Sequence, residues 1–511
     1  MPRYLLAIDQ GTTNSRAIIF SATGDPISQH EIDLQQFFPR SGWVEQDADE
    51  MFNNTVICCR EALKKSNLSA KDIAAVGISN QRETTIIWDK KTGQPIYPAI
   101  VWQDRRTSEL CKKLSQEKIA QHLQEKTGLL LDPYFSATKI MWLLEETPGA
   151  RKRAEQGELA FGTVDTFLLW KLTNGKSHAT DATNASRTML FNIQTQEWDK
   201  DILDAFEIPA ALLPIVLDNS AHFGDMDESI LGQSIPITGM AGDQQAATVG
   251  QACFHPGMVK STYGTGCFML LNTGTEVVHS KNRLLSTIAY RLNGKAIYGL
   301  EGSIFSAGVT IKWLRDTLKI INSAEETETL ARSITDTNGV YLVPAFTGLG
   351  APHWDPDARA ALLGLTRNSG TPQIARAALE AVCYQTRELL EAMTCDNTTR
   401  LKTLRVDGGM TANNWMLQFL ADMLHVDVQR PKCIETSALG AAFLAGLQVG
   451  LYQSLDEISQ LWKANSHFVP QMQNNVADNL YEGWHNAIAR VINTPSHPRF
   501  REPTASCKMN D

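Results

Sequence analysis

Long apolar runs are absent from this sequence. Nothing approaches the roughly 20 apolar residues that cross a bilayer, and only five, Tyr4 to Ile8, lie between Arg3 and Asp9. That stretch is too short for the core of an export signal, so neither membrane insertion nor secretion is expected. Cysteines are few and scattered: Cys58, Cys59, Cys111, Cys253, Cys267, Cys383, Cys395, Cys433 and Cys507 include no C-x-x-C pair, and their number is odd. Neither a zinc site nor a disulfide framework is indicated, and a reducing, cytoplasmic setting fits.

A surplus of positive charge is also missing. With 47 Lys and Arg against 56 Asp and Glu, the formal net charge is -9, which argues against nucleic acid as a partner because phosphate-backbone binders concentrate Lys and Arg. The chain carries no G-x-x-x-x-G-K-[ST] loop and no G-x-G-x-x-G turn. P-loop and dinucleotide-binding readings therefore lose their main support.

What is present points to an α/β chain of two domains. At 511 residues it exceeds what one core ordinarily supports. Its opening, Leu5 to Phe20, sets two apolar runs around the polar turn Asp9-Gln10-Gly11-Thr12-Thr13-Asn14-Ser15-Arg16. Gly11 lets backbone N–H groups approach an anion, Thr12, Thr13 and Ser15 offer hydrogen bonds, and Asp9 at the strand end suits a magnesium ion. The same residues also make an ordinary surface turn. A second hairpin, Gly257 to Leu271, repeats the theme around Thr262-Tyr263-Gly264-Thr265-Gly266. Two such hairpins in one chain suggest similar domains facing each other across a cleft. We place them at residues 1–251 and 252–495, with a tail rich in Pro, Ser and charge at 496–511.

The order of strands and helices indicates mixed sheets flanked by helices. Strands are expected at Ile27 to Ile32, Ile73 to Ser79, Thr84 to Trp88 and Ile235 to Met240. A helix opens at Asp47 with Met51, Val56, Ile57 and Leu63 as its buried stripe, and others cover Thr107 to Lys126, Tyr134 to Glu145 and Val164 to Leu172. The polar run Asp181 to Arg187 reads as a loop. In the second half, Thr371 to Met393 and Trp415 to Leu424 read as helices, and Leu404 to Asp407 as a strand running into Gly408-Gly409. Ser437 to Gly446 is a helix of small residues, as close packing requires.

The two hairpins and the Asp407-Gly408-Gly409 strand end match, in order, the phosphate-1, phosphate-2 and adenosine motifs of the actin-like ATPase superfamily. Four further stretches narrow the likeness: Asn80 to Thr85, Trp102 to Arg106, Gly239 to Ala247 and Gly348 to Trp354. Over roughly residues 3 to 450 the chain resembles the glycerol-phosphorylating branch of the FGGY carbohydrate kinases. The resemblance implies two actin-like (ribonuclease H-like) domains with the active site in the interdomain cleft. It also implies ATP and Mg2+ as cofactors, glycerol as substrate, and a homo-oligomer of two or four chains.

Arg82 and Glu83 are adjacent, so they can reach one ligand only from a strand end or a loop; by themselves they also suit a surface charge pair. A triol needs polar partners for its hydroxyls and an apolar wall for its C–H face. Arg82, Glu83, Tyr134 and Asp243 would supply the first, Trp102 and Phe268 the second, although core packing accounts equally well for the two rings. By resemblance these six form the glycerol pocket with Gln244 beside them. Asp243, opening a helix, is then the base that takes the proton of the attacking hydroxyl; as a helix cap it would need no such role. Thr12, Thr13, Asn14, Arg16 and Thr265 would hold phosphates, Gly308, Lys312, Gly409 and Asn413 would contact the nucleotide, and Asp9 with Asp243 the metal.

Some positions depart from the family pattern. Lys312 stands where Gln is usual. Relatives inhibited by fructose 1,6-bisphosphate have Arg where this chain has Ser234, and relatives activated by phosphorylation have His at Ser229, so neither control is expected in that form. The alternatives are a kinase of xylulose or gluconate from the same family, or a non-catalytic actin-like ATPase.

Overall fold

The structure is a computed structural model that describes residues 3–355, 357–396, 401 and 403–492. The tail expected at 496–511 lies outside them. The opening hairpin is β1 (Tyr4–Gln10) and β2 (Asn14–Ser21), antiparallel, with Leu5, Leu6, Ala7, Ile8, Ile18, Ile19 and Phe20 all fully buried. Burial of successive residues places both faces of the hairpin under cover. β3 (Pro26–Asp33) joins β2, and α1 (Ala48–Ser66) returns across the sheet. Asp47 caps α1, accepting from the Asp49 and Glu50 amides. β4 (Ile73–Asn80) then runs parallel to β1. β5 (Ser220–Met226) and β6 (Ile235–Gly242) complete a sheet of order β5-β6-β4-β1-β2-β3, and β6 runs directly into α2 (Asp243–Gly250).

The second half repeats this plan. It holds β7 (Val259–Tyr263), β8 (Cys267–Gly274), β9 (Leu285–Leu292), β10 (Lys295–Ile304), α3 (Thr371–Asp396), β11 (Thr403–Asp407), β12 (Asp427–Pro431), α4 (Thr436–Gln448) and β13 (Ala464–Phe468). In the order β10-β8-β7-β11-β12-β13 the strands repeat β3-β2-β1-β4-β6-β5, with the same succession of two antiparallel, two parallel and one antiparallel pairings. β9 is an addition at one edge.

The helices share the symmetry. α2 follows β6 as α4 follows β12, and the two pack backbone to backbone. A Cβ on Gly440 would fall 1.8 Å from the Ala246 carbonyl oxygen, and one on Gly250 2.0 Å from that of Thr436. α4 also presses on the first sheet, where a Cβ on Gly77 would lie 2.1 Å from the Ala441 oxygen. One hydrophobic core thus takes in Leu5, Ala75, Val249, Leu270, Ala442 and Phe443 from both halves. The small residues of α4 serve the close packing expected of them. No helix among the described residues is long and apolar enough to cross a membrane.

Three local expectations differ from what is found. The helix expected from Thr107 to Lys126 is two, Ser108–Leu114 and Lys118–Thr127. Ser115 intervenes, its hydroxyl bonding the Lys112 carbonyl at 2.7 Å, the competition with helical bonding that serine offers. Asp181 to Arg187 is no loop: Asp181 ends a short strand and caps the turn of helix Ala182–Ala185. Its polar side chains are buried because they bond one another, Asn184 to Asp181 at 2.6 Å and Asn219 to Asp181 at 2.8 Å. In α1 Met51, Val56 and Leu63 are buried as expected, together with Cys58, Cys59 and Ala62, but Ile57 is 44% exposed.

Candidate active site

β4 ends at Asn80, and Gln81 to Glu83 leave the sheet. The Gln81 amide donates to the Gln10 carbonyl at 2.7 Å, tying this segment to the end of β1, and Glu83 takes a left-handed conformation with φ 60°. The turn frees Arg82 and Glu83 from strand alternation, so both enter one cluster. Arg82 Nε lies 3.1 Å from Asp243 Oδ1. Its two terminal nitrogens clamp Glu301 on β10, one at 3.1 Å from Oε1. Arg187 donates Nε to Glu83 at 2.6 Å and a terminal nitrogen to Glu301 at 2.9 Å. None of the four residues Arg82, Glu83, Arg187 and Glu301 is more than 3% exposed. Burial pushes the Glu301 carboxyl up, but Arg187 and Arg82 outweigh it and bring its pKa down to about 2. For Glu83 burial prevails over the same two arginines, and its pKa is raised.

An aromatic wall stands beside this cluster. Trp102 meets Tyr134 and Phe268 edge-on at 5.6 and 6.1 Å between ring centres, and the Arg82 guanidinium is 5.8 Å from the Phe268 ring. Trp102 Nε1 donates to Thr12 Oγ1 at 2.9 Å, joining the wall to the opening hairpin. The rest of the Trp102 motif is an anchor: Arg106 stacks on Trp43 at 3.8 Å and Trp142 at 4.7 Å and pairs with Asp104 and Glu45, each at 2.8 Å.

Asp243 is the first residue of α2, not its cap; Gly242 holds the cap position. Its Oδ1 accepts the Gln244 amide at 2.7 Å, and the side chain is 32% exposed. The Gln244 side chain accepts from Lys260 Nζ, which also donates to Thr262 at 3.1 Å.

The residues expected at the nucleotide gather in a second place. Thr265, Gly308, Lys312, Gly409 and Asn413 line a cavity of about 320 Å³, floored by Ile311 and Leu379. Gly308 must be small there, since a Cβ would lie 2.5 Å from the Gly264 carbonyl oxygen. Asn413 also caps the helix Asn414–Leu424, accepting from the Met416 amide at 2.9 Å. Thr12 and Thr13 sit on the β1–β2 turn, and Asn14 and Arg16 on the start of β2, Arg16 opposite Asp9. Arg16 lies 3.6 Å from Asp9 and is bonded to Glu435 just before α4. Burial raises the Asp9 pKa; Arg16 opposes this and Asp243 adds to it.

The N-terminal domain of the FGGY family of carbohydrate kinases matches residues 4–250, and its C-terminal domain matches residues 259–449. The chain belongs to the FGGY family of carbohydrate kinases. Among curated relatives, a glycerol kinase of Coxiella burnetii is 60% identical over 499 residues, 98% of this chain and 99% of the relative. Glycerol kinase 1 of Pseudomonas aeruginosa is 59% identical over 491 residues, 96% of this chain and 99% of its own. The crystal structure of Plasmodium falciparum glycerol kinase with ADP superimposes with a TM-score of 0.89 at 37% identity, covering 96% of this chain and 99% of that one.

Three members of this FGGY kinase's charged cluster escape the sequence motifs. Arg187 closes the polar run that reads as a loop. Glu301 lies within Gly299-Leu300-Glu301-Gly302-Ser303, where a charge between glycines inside a strand is itself a signal. Lys260 is wholly buried on β7, inside the second hairpin, where the motif singles out the hydroxyl and glycine residues of the turn and not this strand residue.

Proposed function

We propose that this FGGY kinase transfers the γ-phosphoryl group of ATP to a terminal hydroxyl of glycerol, giving sn-glycerol 3-phosphate. The observation that carries the proposal is the Arg82–Asp243 contact of 3.1 Å beside the Trp102, Tyr134 and Phe268 wall. It provides polar partners and an apolar face on the scale of a three-carbon triol. The relatives named glycerol kinase at 59 and 60% identity support the substrate, and the ADP of the Plasmodium falciparum structure supports the nucleotide.

In this reading Arg82, Glu83 and Tyr134 hold the polyol and Asp243 receives the proton of the attacking hydroxyl. That oxygen bonds to the γ-phosphorus as the bond to the ADP oxygen breaks. Thr12, Thr13, Asn14, Arg16 and Thr265 bind the phosphates, and the adenosine end fills the cavity of about 320 Å³ with Gly308, Lys312, Gly409 and Asn413 on its walls. Asp9 and Asp243 would hold Mg2+: Asp9 pairs with Ser79 near the end of β1, and β6, whose Ala241 pairs with the same Ser79, runs directly into Asp243, so the two carboxylates stand at the same end of one sheet. Magnesium characteristically takes one or two carboxylates and completes its shell with water and phosphate oxygens. When bound it neutralises charge on the transferring phosphoryl group.

Phosphorus NMR of a reaction with ATP, Mg2+ and glycerol tests this. The expected outcome is a glycerol 3-phosphate resonance growing in step with ADP. Release of inorganic phosphate alone would refute it.

A further inference from the structure

Glu301 belongs to the second half, yet it holds two guanidinium groups of the first. In the β8–β10 register Phe268 faces Ser303 and Leu270 faces Glu301, so Glu301 and Phe268 share one face of the sheet. From there Glu301 reaches Arg82 and Arg187, 219 and 114 residues away in the chain. Arg82 faces Glu301, Asp243 and Glu83, and Arg187 faces Glu83 and Glu301, so each buried guanidinium has at least two carboxylate partners; the nearby Lys260 has Asp407 as its foremost charge partner. An arginine buried without its carboxylate is strongly unfavourable and recruits whatever anion can reach it.

We propose that Glu301 is a specificity-determining and positioning residue: by cancelling the charge of Arg82 and Arg187 it makes the polyol subsite accept an uncharged polyol and reject the corresponding carboxylate. The inference rests on the assignment of Arg82 and Glu83 to that subsite. It also explains why two arginines can line a pocket for a neutral molecule. Arg82 is held by Glu301 and Asp243, and Arg187 by Glu83 and Glu301, so the charge of each is met by carboxylates, although Arg187 Nη1 makes no hydrogen bond of its own.

The test compares glycerol with D-glycerate, its three-carbon carboxylate analogue. In Glu301→Gln the KM for glycerol should rise roughly ten-fold or more, while the KM for ATP stays within about two-fold. D-glycerate should become a competitive inhibitor against glycerol, binding roughly ten-fold or more tightly than to the wild type. A merely structural role would not create affinity for an acid. The double variant Arg187→Gln with Glu301→Gln removes one charge of each sign and should return glycerate affinity to the wild-type level. It also serves if the single variant is insoluble, because retained glycerate binding in the double variant would contradict the proposal. An unchanged glycerol KM in Glu301→Gln, or a raised one without tighter glycerate binding, would overturn it. Wild-type turnover of glycerol is read separately, so failure of the substrate assignment is distinguishable from failure of the role of Glu301.

Discussion

In the proposed mechanism Asp243 receives the proton; it lies 3.1 Å from Arg82 Nε and its side chain is 32% exposed. Asp243→Asn keeps the size and removes the acceptor. We expect kcat to fall by about 10²–10⁴ with glycerol binding largely retained, as read by steady-state and equilibrium binding measurements; near-normal turnover would remove Asp243 from the role of base. Gly409 offers a contrasting case. A Cβ there would touch nothing within 4 Å, yet the residue lines the cavity proposed for the nucleotide. Gly409→Ala should therefore leave the melting temperature unchanged and raise the KM for ATP.

His178 provides the pH dependence. Burial lowers its pKa from 6.5 to about 4, against the opposing bond to the Phe161 carbonyl at 2.9 Å. Between those values the unfolded chain takes up a proton that the folded chain refuses. Stability is thus full above about 6.5 and declines as pH falls toward 4, by on the order of 3 kcal/mol. In urea melts across that range His178→Gln should flatten the decline; an unchanged slope would contradict the assignment. At this scale the residues visible in the sequence were those in local motifs, such as Arg82-Glu83 and Asp243. Glu301 and Arg187 stayed hidden because their partners lie 219 and 104 residues away, a pairing only the fold creates.

Among the elements, α2 and α4 matter most, since their crossing joins the halves. Gly440→Val places atoms inside the space of the Ala246 carbonyl, where even a Cβ would be at 1.8 Å. We expect a loss of several kcal/mol or of soluble protein, measured by thermal denaturation. The segment Asp227 to Ser234 bears on control. Ser229 is spent on the Asp227 carboxylate at 2.8 Å, and Ser234 lines a cavity with Asp225, Asp227 and Glu228 opposed by Lys176 and His222. An acidic lining without arginine disfavours a bisphosphate, so millimolar fructose 1,6-bisphosphate should leave the rate unchanged; strong inhibition would contradict this. Apolar strands and the capped helix at Asp47 were legible because their signals are local. The Asp181–Arg187 turn was not, because a buried polar network has the composition of a loop.

At the scale of the whole molecule, the repeated hairpins foretold the duplicated sheet. The symmetric strand order and the α2–α4 contact complete the repeat, and they place the two walls of one cleft in opposite halves. The aromatic wall proposed to face the polyol draws Trp102 and Tyr134 from one half and Phe268 from the other. Turnover consequently needs both halves on the substrate, and release of ADP without a polyol should be slow. The most direct measurement is an ADP-release assay over glycerol, other polyols, xylulose and gluconate at saturating ATP and magnesium. The account predicts the highest kcat/KM for glycerol; no activity with glycerol beside robust turnover of xylulose or gluconate would contradict it.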